Sequence, residues 1–165
     1  MAVVVAQASP QGARADSARD VQVAGRALTF LEGGTVDPLV IGVAFDASKP
    51  ASVQEKNAIM AALDGGYKAG AVNLVGRSVE IGSVSSLGDV KAIFLTRGVN
   101  YAAISALARS RRIITIGSDP VCVRSGACVM GVTTEPAVQI VINRAAAAAV
   151  GAAFKAAFRM MIREI

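Results

Sequence analysis

Five residues in this 165-residue chain stand where chemistry is expected: Cys122 and Cys128, and the polar groups Asp46, Arg97 and Asp119, each following a run of branched apolar residues. The cysteines bracket a glycine turn, Val123-Arg124-Ser125-Gly126-Ala127. At a non-hydrogen-bonded site of an antiparallel pair, Cα atoms approach to roughly 4.5–5.5 Å, within disulfide range. The favoured expectation is a structural disulfide clipping one hairpin. Closing so short a loop contributes on the order of 2 kcal/mol by the chain-entropy account. Two free thiols in a cytosolic protein and a redox-active pair are the competing readings, although the spacing is not C-x-x-C. Asp46, Arg97 and Asp119 fall at predicted strand ends, where an open α/β sheet places its ligand crevice, so together they could line a small-molecule cleft. Asp before a turn or a proline is also ordinary loop chemistry.

Other chemistries are narrowed by what is missing. The chain has no histidine, so serine–histidine and cysteine–histidine catalysis and imidazole-held metals are excluded, and two cysteines cannot close a four-thiolate site. No two glycines stand two apart, no glycine precedes a lysine, and no serine sits in a G-x-S-x-G elbow, which removes the dinucleotide fingerprint, the phosphate loop and the hydrolase elbow. Asp46 with Asp119 is the main surviving hydrolytic pair. A metalloenzyme and a nucleotide-dependent enzyme are therefore not expected, nor is a cofactor or a metal. The net charge of +5 is not clustered apart from Arg109, Arg111 and Arg112, which fall where a helix should end and favour its dipole. Nucleic acid is not an expected partner, since aromatic residues for base stacking are not interleaved.

The elements that must position these groups follow from periodicity. Val21, Ala24, Leu28 and Leu31 predict a helix over residues 17–31. The run Leu39-Val40-Ile41-Gly42-Val43-Ala44-Phe45 predicts a strand buried on both faces. Ser52 and Glu55 read as a capping box for a helix to about Leu63, released by Gly65-Gly66. Residues 77–84 alternate like a strand at or near a sheet edge, and 92–95 is a fully apolar strand, with their pairing left open because the link is short for a parallel crossover. A short helix over 101–109, a strand over 112–116, a hairpin of 127–132 with 137–142, and a last helix from Arg144 to the end complete the pattern. The result is α/β: a three-layer sandwich with a mixed, mainly parallel sheet, a C-terminal β-hairpin and a closing helix, the capping-box helix on one face and the terminal helices on the other. Residues 16–165 read as a single domain, and residues 1–15 as a signal-peptide remnant or a disordered tail, with Ala13-Arg14-Ala15 resembling a cleavage site. Lys155 and Arg159 interrupt the longest apolar run, so no membrane insertion is expected.

From about Val21 onward the order of these motifs resembles the YfiR/HmsC-like periplasmic proteins. The features that carry the likeness are the first helix ending near Phe30-Leu31, the strands at 39–45 and 92–95, the strand opened by Val75-Gly76-Arg77, the strand and turn of 113–119, the glycine turn Arg124-Ser125-Gly126-Ala127, and the strand 138–143 ending in Ile142-Asn143. The first helix lacks the family's Trp-Pro ending, the last is richer in alanine, and only the pair at 122 and 128 is present where a branch of the family carries two. The resemblance implies a periplasmic, non-enzymatic regulator that represses an inner-membrane diguanylate cyclase through its sensor domain, lowering cyclic di-GMP and biofilm formation. It makes Cys122 and Cys128 stabilising or redox-sensitive positions, and a homodimer stays open. The alternative is a periplasmic solute-binding-like module, with Asp46, Arg97 and Asp119 lining its cleft.

Overall fold

The computed structural model describes residues 11–165, with side chains described outside 11–16 and 84–86. Residues 1–10, most of the expected signal remnant or tail, lie outside the described residues; the backbone of 11–15 belongs to the first helix, α1 (Gln11–Leu28). Val21, Ala24 and Leu28 of α1 are buried as their spacing predicts. Leu31 lies past the helix end and bridges to Phe154 instead.

The chain continues through β1 (Leu39–Phe45), α2 (Pro50–Ala62), β2 (Tyr67–Ala69), β3 (Val72–Glu80), β4 (Ala92–Leu95), α3 (Tyr101–Arg111), β5 (Ile114–Gly117), α4 (Pro120–Arg124), β6 (Met130–Thr133), β7 (Gln139–Ile142), α5 (Arg144–Val150), α6 (Ala156–Arg159) and β8 (Arg163–Glu164). These strands form one eight-stranded sheet in the order β2-β3-β1-β4-β5-β6-β7-β8. The five from β3 to β6 are mutually parallel, β2 and β7 run antiparallel to their neighbours β3 and β6, and β8 follows β7 in parallel. The short link between β3 and β4 is explained by this order: the two do not pair, but flank β1 on either side. The α/β sandwich and the β6–β7 hairpin thus stand as expected.

Strand alternation divides the core in two. Leu39, Ile41 and Val43 of β1, with Phe94 and Ile116, meet α1, α2 and the C-terminal residues Val150, Phe154 and Phe158. Ala44, Ile93 and Leu95 meet Ile104 and Ala108 of α3 and Cys122 and Val123 of α4. This corrects the expected layering: α1 and the C-terminal helices share the face of α2, and α3 and α4 cover the other. The cause is a right-handed crossover leaving β1 in one direction and β4 in the other.

Three further expectations are corrected. The residues read as a capping box do not cap α2, because the helix starts earlier, with Pro50 in its first turn and Lys49 as its N-cap. The terminal helix is broken by Gly151, whose φ of 71° is the left-handed geometry glycine adopts without a Cβ clash. Residues 152–155 instead pair with the segment that follows α1, through Glu32 N–H to the Ala153 carbonyl and Lys155 N–H to the Phe30 carbonyl, both hydrogen bonds. Phe30 then stacks on Phe158 with ring centroids 5.0 Å apart.

The third correction concerns the cysteines. Cys122 and Cys128 form a disulfide with Cα atoms 5.1 Å apart, and no free cysteine remains. It braces no hairpin: Cys122 lies in the single-turn helix α4 and Cys128 two residues before β6. Proline in the first turn of α4 and the Asp119 cap favour a helical turn where the glycine suggested a strand reversal. A Cβ on Gly117 would stand 3.0 Å from the Cys128 sulfur, a tight contact, so glycine in β5 leaves room for the bridge. No described helix is long and apolar enough to cross a membrane.

Candidate functional site

In the order β3-β1-β4-β5-β6, the chain leaves β1 toward one edge of the sheet and β4 toward the other. Loops at the carboxyl ends of these two strands diverge, the place where open α/β sheets hold their ligands. Strands stand about 4.8 Å apart, so the ends of β1, β4 and β5 fall within roughly 10 Å of one another. Asp46 follows β1, Thr96 and Arg97 follow β4, and Ser118 and Asp119 follow β5. The structure therefore brings Asp46, Arg97 and Asp119 to one edge, with β4 between the two carboxylates.

Their roles at that edge differ. Asp46 Oδ1 accepts hydrogen bonds from the Ser48 backbone N–H at 2.9 Å and the Ser48 hydroxyl at 2.6 Å. These bonds, helped by Lys49 at 3.7 Å, hold its carboxyl below the ordinary carboxylate range. Asp46 is thus an anion that shapes its own loop. Lys49 donates to the Gly98 carbonyl, tying the loop after β1 to the loop after β4.

Arg97 is held by its backbone. Its N–H donates to Glu55 Oε2 at 2.8 Å, and Glu55 Oε1 accepts from the Ser17 hydroxyl at 2.8 Å, so one nearly buried carboxylate pins α1, α2 and the β4 loop together. Beside it Ser52 accepts from the Asp46 N–H at 2.9 Å and shares a 2.7 Å hydrogen bond with Thr96, whose hydroxyl also reaches the Ala44 carbonyl at 2.7 Å. The Arg97 side chain is exposed and its guanidinium has no hydrogen-bond or ion-pair partner among the described residues. Its backbone is fixed and its charge is available.

Asp119 caps α4 by accepting from Val121 N–H at 2.9 Å, and its other oxygen accepts from the Tyr101 hydroxyl at 3.1 Å. Burial, then the Asp119 charge, pushes the Tyr101 phenol up to about 12, so this hydroxyl remains a donor across the neutral range. Behind them Asp20 of α1, 3% exposed, accepts from Ser118 at 2.6 Å and Thr134 at 2.8 Å.

Sequence reasoning located the strand-end residues and missed the polar layer beneath them: Ser17, Asp20, Ser52, Glu55, Thr96 and Tyr101. A signal existed for one pair, since Ser17 and Asp20 interrupt the stripe of α1 one turn before Val21 and Ala24. Among the described residues no group of acidic and cysteine side chains is arranged to hold a metal ion.

No protein-family model and no curated protein matches the chain. Its fold is similar to that of the ABC domain in complex with L-Trp from Streptococcus pneumonia, with a TM-score of 0.61 and 14% identity over 91% of this chain and 60% of that one. It is also similar to a conserved domain protein from Vibrio cholerae, with a TM-score of 0.62 and 14% identity over 90% of this chain and 59% of that one. The chain thus spans about three fifths of the length of these structures.

Proposed function

We propose that this chain is a periplasmic solute-binding module that takes a small carboxylate-bearing solute, of the amino-acid class, in the crevice beyond β1, β4 and β5. The observation that carries the reading is Arg97: its backbone is anchored by Glu55, and its guanidinium has no partner among the described residues at the switch point of the sheet. A guanidinium binds a carboxylate through two parallel hydrogen bonds. Tyr101, at the start of α3, and Asp119, the cap of α4, stand beside it, where an anionic acceptor can receive a solute ammonium. The likeness in fold to a domain that holds L-Trp supports an amino acid as the solute. The disulfide supports an oxidising compartment.

A thermal-shift screen of L-amino acids tests this. At a hundred times its Kd, a ligand that binds only the native state adds about 2.7 kcal/mol, which for a domain of this size raises Tm by about 5–10 °C. Arg97→Gln is expected to abolish that rise while leaving the unliganded Tm unchanged, because the exposed side chain supports no packing. If no amino acid raises Tm, or if Arg97→Gln responds like the unaltered protein, the reading is wrong.

A second reading, the repressor of a diguanylate cyclase, is supported by the family resemblance together with Met160 and Met161, 88% and 69% exposed after α6. Adjacent exposed methionines suit an adaptable apolar contact with a partner. Deleting the gene is then expected to raise cyclic di-GMP; unchanged cyclic di-GMP would sink this reading.

A further inference from the structure

At the opposite edge of the sheet, where the parallel strands begin, a cavity of about 230 Å3 opens between the end of α1, the starts of β1, β4 and β5, and the end of α5. Its floor is apolar: Leu28, Leu39, Ala92, Ile114 and Val150 are each at most 7% exposed. Its lining also includes two exposed cations, Lys91 and Arg112, neither of which has a hydrogen-bond or ion-pair partner for its side chain among the described residues. We propose that this cavity is a second binding site, distinct from the carboxyl-edge crevice, for a small aromatic or branched carboxylate, with the apolar body on the floor and the carboxylate between Lys91 and Arg112.

The geometry of Arg112 supports the assignment. It is the sole non-glycine with positive φ among the described residues, at 55°, and caps α3 in the left-handed conformation. A side chain other than glycine or asparagine is disfavoured there, and such positions cluster at ligand sites. The turn carries the guanidinium toward the end of α5, where its Nη1 lies 4.0 Å from the position a Cβ on Gly151 would take. The third charged lining residue is Glu32, one carboxylate against the two cations. The mouth is left net positive.

Size and polarity define the ligand. An apolar cavity of about 150 Å3 accepts benzene, so 230 Å3 accommodates an aromatic ring with a carboxylate at its mouth. A ligand with an ammonium on its buried body fits poorly, because the apolar floor offers no acceptor for it and burying that charge unpaired is unfavourable. This separates the site from the crevice at the other edge and makes it independent of the function proposed there.

Methyl NMR of the full chain titrated with sodium benzoate, and separately with benzyl alcohol, tests the proposal. Benzoate is expected to shift the methyls of Leu39, Ile114 and Val150, and the double substitution Lys91→Gln with Arg112→Gln to weaken it about tenfold or more, the scale of losing charged hydrogen bonds. Benzyl alcohol, of similar shape but uncharged, should bind more weakly and respond little to the same substitutions. The proposal is overturned if millimolar benzoate leaves these methyls unmoved, if it shifts Val99 and the β4 loop instead, or if the double variant binds benzoate as the unaltered protein does.

Discussion

Phe94→Ala is expected to lower the unfolding free energy by about 3–5 kcal/mol, the cost of removing a buried aromatic ring and leaving its cavity. Phe94 is fully buried in β4, whose neighbours β1 and β5 pair with it on both sides, so the surrounding backbone has little freedom to collapse into the void. It also lies two residues before Thr96, and loosening β4 would blur the position of Arg97. Urea unfolding followed by circular dichroism measures the loss; a change under about 1 kcal/mol would mean that the centre of the sheet is not packed as described.

Asp20→Ala is expected to cost about 3 kcal/mol, because two hydroxyls lose their acceptor in a buried site. The carboxylate joins α1 to the loops after β5 and β6, so its removal leaves the Ser118 and Thr134 hydroxyls without their acceptor. Asp20→Asn retains one carbonyl oxygen and is expected to cost about half as much, because a hydroxyl can turn to accept from the amide. If Ala and Asn at this position prove equally stable to urea, the carboxylate is not the hub of that network.

These two residues differ in how visible they are in the sequence. Phe94 sits in an unbroken apolar run that announces a buried strand, as do residues 39–45, and the strand-end position of Asp46, Arg97 and Asp119 follows directly from such runs. Asp20 shows locally only as a polar break in the stripe of α1; its partners Ser118 and Thr134 are 98 and 114 residues away, and no helical pattern reveals a partner at that distance. Ser52 and Glu55 misled because a serine followed three residues later by a glutamate fits both a helix cap and a buried tertiary pair, and burial decides between them. The placement of Cys122 failed for a related reason: Pro120 to Arg124 is one helical turn, too short for periodicity to register, next to a glycine that suggests strand reversal. Gly151 was hidden by the alanines before it, which favour helix without specifying where a helix stops.

The separation between Asp20 and its partners also bears on the order in which the molecule can assemble. α1 is made well before Ser118 and Thr134, so these two hydrogen bonds to its buried Asp20 form only once those residues have appeared and found their strands. Contacts that close loops of this length form late, because the entropy of closure must be met before they contribute. The seal between α1 and the loops after β5 and β6 therefore belongs among the last contacts to form, whereas α1 can meet α2 earlier through Ser17 and Glu55, only 38 residues apart.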